Sequence, residues 1–322
     1  MKKYDFTVPG SVCTVQILKF HRMPRIGESE TVLNQKTAMD YYMGGCAYNI
    51  WIALAKLGAS TYPVFKYRGD ICNKQMRSDC ATYGAPTDSL YMPNADAGYH
   101  CLMFQDDNRD HITVSIPFGK DIENIYDLER IEYDDRQFKN SKCAIFALNY
   151  DKEALDLAEK YGLTIAYSYR NDPVLGPKHM VERILYAAHV IFTNEVEAKY
   201  IEETYGLQKI TDLFTRGNVK VIVTTLGKLG SRVYEKTGNA ISETHIQTTH
   251  TPIGNVDAVG AGDGFVAGFM YGYINEKSIR TCAQYGSTVA SFVIEKEGSS
   301  TNLPTINKML ERNSTRPDAC DE

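Results

Sequence analysis

Asp257-Ala258-Val259-Gly260-Ala261-Gly262-Asp263-Gly264-Phe265 leads straight into an apolar run that ends at Ile274. Small residues at 260–262 leave several backbone N–H groups bare at a helix N-terminus, where orphan donors and the helix dipole both favour an anion. An acidic residue in a first helical turn often does no more than stabilise the helix. Here Asp263 would lie beside the anion those donors hold, and a carboxylate facing a phosphate is repulsive unless it has a chemical task. Accepting the proton of a hydroxyl that attacks the phosphate is such a task. The stretch is not Gly-x-Gly-x-x-Gly and sits near the C-terminus rather than after a first strand, which argues against a dinucleotide site. The chain holds no Gly-x-x-x-x-Gly-Lys-Ser/Thr, which excludes a P-loop enzyme.

Upstream of this turn, apolar runs and helical patterns alternate. Runs at 143–148, 163–167, 189–193 and 219–224 read as buried strands, and the stretches 152–161, 181–188 and 194–205 read as helices. Short strand-helix alternation with near-continuous apolar strands predicts a parallel sheet covered by helices, hence an α/β core. The first third differs. Segments 12–20, 30–35, 98–105 and 111–116 read as strands, with a hairpin turn at 106–110, around a helix at 47–57 that stops at Gly58. These predict a small β-sheet lid within about 12–35 and 96–117. The segment 121–136, with seven acidic and two basic residues, reads as a solvated surface helix. Residues 1–310 are expected to form one domain, and the chain turns polar and frayed after Ile306, leaving 311–322 as a tail.

The 322 residues are 43% apolar and 23% charged, ordinary for a globular chain, and 35 basic against 40 acidic residues give a net charge of −5. No basic excess exists to neutralise a phosphate backbone, so nucleic acid is a poor partner. The N-terminus has no apolar signal segment, and no stretch approaches the roughly 20 apolar residues of a membrane span; a cytoplasmic location is expected. Eight cysteines are scattered without Cys-x-x-Cys, and seven histidines (21, 100, 111, 179, 189, 245 and 250) show no ligand spacing. Reduced thiols are therefore expected, with no protein-bound transition metal. Trp51 falls on the 47–57 helix, where core packing is its expected role.

Asp-x-x-Gly-Ala-Gly-Asp-x-Phe resembles the C-terminal signature of the ribokinase-like (PfkB) family of carbohydrate and nucleoside kinases. Three weaker features agree in order. Gly44-Gly45-Cys46-Ala47-Tyr48-Asn49 running into Leu57-Gly58, Thr193-Asn194-Glu195-Val196-Glu197, and Thr225-Leu226-Gly227-Lys228-Leu229-Gly230 are similar to the family's N-terminal pattern, its Asn-x-x-Glu motif and its nucleotide loop. The resemblance implies a three-layer α/β/α core and transfer of the γ-phosphoryl group of ATP to a hydroxyl. Asp263 would be the general base, and Gly260, Ala261 and Gly262 the anion hole. Asn194 and Glu197 would hold water around Mg²⁺, with Thr225, Gly227, Gly230 and Asn194 along the ATP. Asp257 would order the loop, in some members through a K⁺ site, although Ala258 stands where many carry Thr or Ser.

The acceptor end departs from the family pattern. Cys13 and Val15 fall where sugar kinases place Asn or Asp, Cys46 replaces a customary polar residue, and Asn149 stands where several members have Glu. Gly44, Gly45 and Asn49 remain as hydroxyl contacts. The expected acceptor is a sugar or sugar-like molecule, the nucleoside being the alternative, with a non-catalytic sensor of the same fold as a second alternative. Relatives acting on small vitamin precursors usually lack such a lid. Many relatives dimerise through the lid, and a homodimer is expected here as well.

Overall fold

The computed structural model describes residues 2–66, 69–91, 98–107, 111–118, 133–171, 176–249 and 258–318. Strands are β1 (Tyr4–Ser11), β2 (Cys13–Lys19), β3 (Tyr42–Gly44), β4 (Thr61–Lys66), β5 (Leu90–Tyr91), β6 (Gly98–Gln105), β7 (His111–Phe118), β8 (Ser141–Ala147), β9 (Thr164–Ser168), β10 (Val190–Asn194), β11 (Val221–Thr225), β12 (Ser231–Thr237) and β13 (Ala240–Ile246). Helices are α1 (Cys46–Lys56), α2 (Gly69–Tyr83), α3 (Asp135–Lys139), α4 (Lys152–Lys160), α5 (Lys178–Ala187), α6 (Glu195–Tyr205), α7 (Leu213–Arg216), α8 (Ala261–Ile274), α9 (Ile279–Val293) and α10 (Ile306–Ser314).

Nine strands form one sheet in the order β13-β12-β11-β10-β9-β8-β1-β4-β5. The strands from β11 to β5 run parallel, and β12 and β13 add an antiparallel edge. Strands β1 and β8 to β11 are mostly buried on both faces, and alternate residues serve opposite layers. Cys143, Ile145 and Ala147 of β8 join Leu54, Met76, Phe269 and Val289 in one core, while Ala144 and Phe146 join Leu155, Ile184 and Phe214 in the other. This is the expected three-layer core. Trp51 is fully buried in the first layer, where its indole N–H donates to Thr61 Oγ1 at 2.8 Å.

A second sheet, in the order β3-β2-β6-β7, is the expected lid. The β6–β7 hairpin closes from Gln105 to His111 as its sequence predicted, although residues 108–110 of its turn lie outside the described residues. One expected strand is corrected: 30–35 is not extended ladder. The Asn34 side chain accepts from Lys19 N and donates to Ile17 O, taking over backbone pairing, while the polar loop behind it turns back on itself. The place beside β2 belongs instead to Tyr42–Gly44, antiparallel to it.

The first core strand is β1, ahead of the 12–20 segment read as the first strand. Pro9 disguises it, because proline in a central strand removes a ladder donor. The β1–β8 ladder ends at Thr7, two residues before Pro9, so that donor is not missed on the β8 side. The region after Ile306 is also corrected, since α10 follows there with Met309 buried. Arg312 stacks over the Phe292 ring at 3.3 Å, and the buried Arg316 donates to Gln247 O at 2.8 Å. Cation and stem anchor this segment where apolar residues are few. Most of the acidic stretch 121–136 lies outside the described residues.

Candidate active site

Chain order along the sheet reverses around β1, with β4 and β5 to one side and β8 to β11 to the other. Ligands of open α/β sheets bind at the carboxyl ends of strands beside such a switch point. A cavity of about 910 Å³ lies there, lined by Gly10 and Ser11 at the end of β1, Ala147 at the end of β8, Arg170 beyond β9, Thr193 and Asn194 of β10 and Thr225 of β11. Cys13, Val15, Cys101, Met103, Thr113 and Ser115 face it from the lid.

Helix α8 enters the cavity at its N-terminus. Gly260 precedes it in left-handed conformation with φ 76°, and a Cβ there would stand 2.4 Å from Ser299 Cβ. Only glycine meets both demands. Asp263, in the first turn, is 4% exposed and is held from two sides. Asn49 Nδ2 donates to its Oδ2 at 2.8 Å, and Arg170 Nη2 donates to its Oδ1 at 2.9 Å. Ser299 Oγ in turn donates to Asn49 Oδ1 at 2.8 Å. A buried carboxylate with both oxygens engaged is fixed in orientation, as a positioned base requires.

Asn194 and Glu197 also face the cavity, and their spacing has a second explanation. Asn194 caps α6 by accepting from Glu197 N at 2.8 Å, and Glu197 Oε2 accepts from Asn194 N at 2.8 Å. The reciprocal cap uses Oε2 and leaves Oε1 to Arg170, 3.8 Å from its Nη1. Burial pushes the Glu197 carboxyl above its ordinary range, outweighing the pull of Arg170. Burial also disfavours charge on Arg170, but Cys46, Asp263 and Glu197 more than offset it, and the guanidinium stays a cation. The Cys46 thiol is pushed up to about 12 by burial first and the Asp263 charge second. Cys13, with its sulfur 3.6 Å from that of Cys101, is raised well above its usual value by that neighbour and by burial. The thiols therefore present a neutral, soft wall.

The structure brings together Gly260, Gly262, Asp263, Asn194, Glu197, Thr225, Gly44, Gly45, Asn49, Cys13, Val15, Cys46 and Asn149 around the cavity. Ala261 is the first residue of α8. Gly227 and Gly230 stand apart from the cavity lining, at the first residue of the 3₁₀ turn between β11 and β12 and just after its last. Asp257 lies outside the described residues. Sequence reading missed Arg170, Ser299 and Ser11. The available signal for Arg170 was its place just past an apolar strand, where side chains of an α/β fold reach the ligand.

A parallel switch-point cavity with a fixed carboxylate at a bare helix N-terminus defines a phosphoryl-transfer enzyme of the small-molecule kinase class. Residues 11–306 match the model of the pfkB family carbohydrate kinases, and the chain belongs to that family of sugar and nucleoside kinases. It is similar to the nucleoside kinase of Methanothermobacter thermautotrophicus, 25% identical over 281 residues that cover 84% of each chain. Similarity to the 5-dehydro-2-deoxygluconokinase of Geobacillus kaustophilus reaches 26% over 328 residues, covering 95% of this chain and 92% of that one. The fold superposes on the Burkholderia thailandensis nucleoside kinase in complex with inosine with a TM-score of 0.79, at 19% identity over 96% of this chain and 97% of that one. No described helix is long and apolar enough to cross a membrane.

Proposed function

We propose that this kinase transfers the γ-phosphoryl group of ATP to a hydroxyl of a nucleoside, with Asp263 as general base. The carrying observation is the buried Asp263 carboxylate, held by Asn49 and Arg170 in the first turn of α8 beside the backbone N–H groups of 260–262. Those N–H groups stabilise charge on the transferring group, and Asp263 takes the proton of the attacking hydroxyl. Asn194, Glu197 and Thr225 lie toward the donor, and Glu197 Oε1, which the helix cap does not use, suits the water shell of Mg²⁺, which would neutralise triphosphate charge. On the acceptor side, Gly44, Gly45, Asn49 and Asn149 offer the polar contacts.

The acceptor class rests on the wall opposite. Val15, Met103, Cys101 and the neutral thiols of Cys13 and Cys46 offer little to a polyhydroxylated molecule and suit the face of a base. The similarity to nucleoside kinases in sequence and fold supports the same reading. An ADP-release assay with Mg-ATP against nucleosides, pentoses, hexoses and sugar acids tests it. A nucleoside with the highest kcat/KM is expected, and a plain sugar or sugar acid at the top would overturn the acceptor class while leaving the kinase intact.

We further propose that the lid pairs two copies of the chain. On β7, Thr113 and Ser115 line the cavity while Ile112 and Val114 face out, exposed together with Met39 and Tyr41. Light scattering at micromolar concentration should give twice the chain mass, and the monomer mass would reject pairing.

A further inference from the structure

We infer that Arg170 is a catalytic residue whose guanidinium grips the phosphoryl group as it passes from nucleotide to acceptor; this rests on the kinase reading above. Arg170 stands between the two ends of the reaction. Its Nη2 is 2.9 Å from Oδ1 of Asp263, the base that meets the acceptor hydroxyl. Its Nη1 is 3.8 Å from Oε1 of Glu197, on the side of the metal and triphosphate. A group moving from the second place to the first passes the guanidinium.

The anion hole is on the same spot. A Cβ added at Gly262 would lie 3.1 Å from Arg170 Nη2, so the side chain rests against the turn proposed as the anion hole. Backbone donors and guanidinium thus converge on one point. Neutralising two buried carboxylates would explain the ion pairs but not the position. The Arg170 side chain remains 26% exposed to the cavity, whereas those of Asp263 and Glu197 are at 5% and 8%. The planar fork of N–H donors matches phosphoryl oxygens and the charge spread over them in a loose transition state.

In the transfer, the acceptor oxygen bonds to the γ-phosphorus and its proton passes to the Asp263 carboxylate. The bond from that phosphorus to the bridging oxygen breaks, its electron pair leaving with ADP. Arg170 exchanges no proton; its fork, held at rest by Nη1 donating to Tyr169 O and Nη2 donating to Asp263 Oδ1, both at 2.9 Å, turns its donors to the phosphoryl oxygens while keeping Asp263.

Calorimetry of the wild type, Arg170→Gln and Arg170→Lys with Mg²⁺ and either ADP or the non-hydrolysable analogue AMP-PNP tests the assignment, with no acceptor needed. Arg170→Gln should bind ADP within about 2-fold of wild type and AMP-PNP at least about 10-fold more weakly. ADP with aluminium fluoride, which imitates the group in transit, should lose about 10²–10³-fold, the size expected for a lost charge-stabilising donor. Arg170→Lys keeps the charge without the fork and should show a smaller loss confined to the same two ligands. Circular dichroism checks folding, and Arg170→Lys supplies the readout if Arg170→Gln does not fold. Equal losses for ADP and AMP-PNP, or none, would overturn the inference alone. A wild type that binds neither nucleotide would remove the kinase reading and this inference with it.

Discussion

Asn49 Nδ2 donates to Asp263 Oδ2 at 2.8 Å across 214 residues of sequence, so the first turn of α1 orients a carboxylate at the first turn of α8. Both helices begin at a glycine with positive φ, Gly45 at 101° and Gly260 at 76°. Both N-termini open on the cavity, and the bond between them locks Asp263 to the α1 side of it.

Asp263→Asn removes the proton acceptor while keeping the shape of the side chain. Turnover is expected to fall by about 10²–10⁴-fold, the usual worth of a positioned general base. Mg-ADP affinity should change little. ADP release with the best acceptor, beside calorimetry of the nucleotide, reads both. Turnover within a few-fold of wild type would remove Asp263 from the role of base.

Asn49→Leu tests the orienting bond rather than the base. It leaves Asp263 Oδ2 and Ser299 Oγ without their buried partner, and an orphaned buried polar group costs about 1–3 kcal/mol. A kcat lower by about 10-fold is expected, that energy being felt where the base must be aimed. Ser299→Ala loosens Asn49 without touching Asp263 and should have a smaller effect in the same direction. Steady-state kinetics on the pair would show the ranking, and a larger effect from Ser299→Ala would mean that the chain of bonds does not orient the base.

What was legible in the sequence follows from how local each cause is. The proposed anion hole and base fall within four residues, 260–263, so the candidate could be read from one short stretch. Strands β8 to β11 announced themselves because parallel strands are apolar on both faces. By contrast β1 carries Pro9, β3 is three residues long and shows no period, and α10 is anchored by Arg312 and Arg316 in place of an apolar stripe. Arg170 belongs to no motif and reaches Asp263 only through sheet order, across 93 residues of sequence. The Asn194 to Glu197 spacing was legible, but its reading was double: the same two residues cap α6 and face the cavity.

Gly260→Ala asks a Cβ to sit where Ser299 Cβ would be 2.4 Å away and where φ is 76°. The conformation alone costs a non-glycine residue about 1–3 kcal/mol, and the clash moves either Ser299 or the loop. Lower Tm and a fall in kcat larger than in KM are the expected result, because the loop supplies donors needed most in the transition state. Thermal unfolding and kinetics measured together check this, and unchanged kcat would mean that the loop tolerates the shift without harm to the anion hole.

One carboxylate ties two lid strands to the core. Glu297, beyond α9, pairs with Lys19 of β2 through Oε2 and accepts from Tyr42 of β3 at 2.8 Å through Oε1. Burial works to raise the Glu297 carboxyl, but Lys19 and Tyr42 together hold it below its ordinary value of 4.5. A carboxylate lowered on folding stabilises fully above about pH 4.5 and loses that contribution as pH falls through its folded value. The partners remain 38% and 27% exposed, so the pair is solvent-screened and its worth is below about 1 kcal/mol. Loosening the lid should therefore act on acceptor capture more than on global stability. Glu297→Gln is expected to raise the acceptor KM by about 2- to 5-fold, with the nucleotide KM and Tm nearly unchanged, in keeping with that small energy. Below about pH 4.5 the wild-type acceptor KM should climb toward that of the variant, which lacks the titrating group and stays flatter. KM profiles that stay parallel as pH falls from 7 to well below 4.5 would show that Glu297 does not govern the lid.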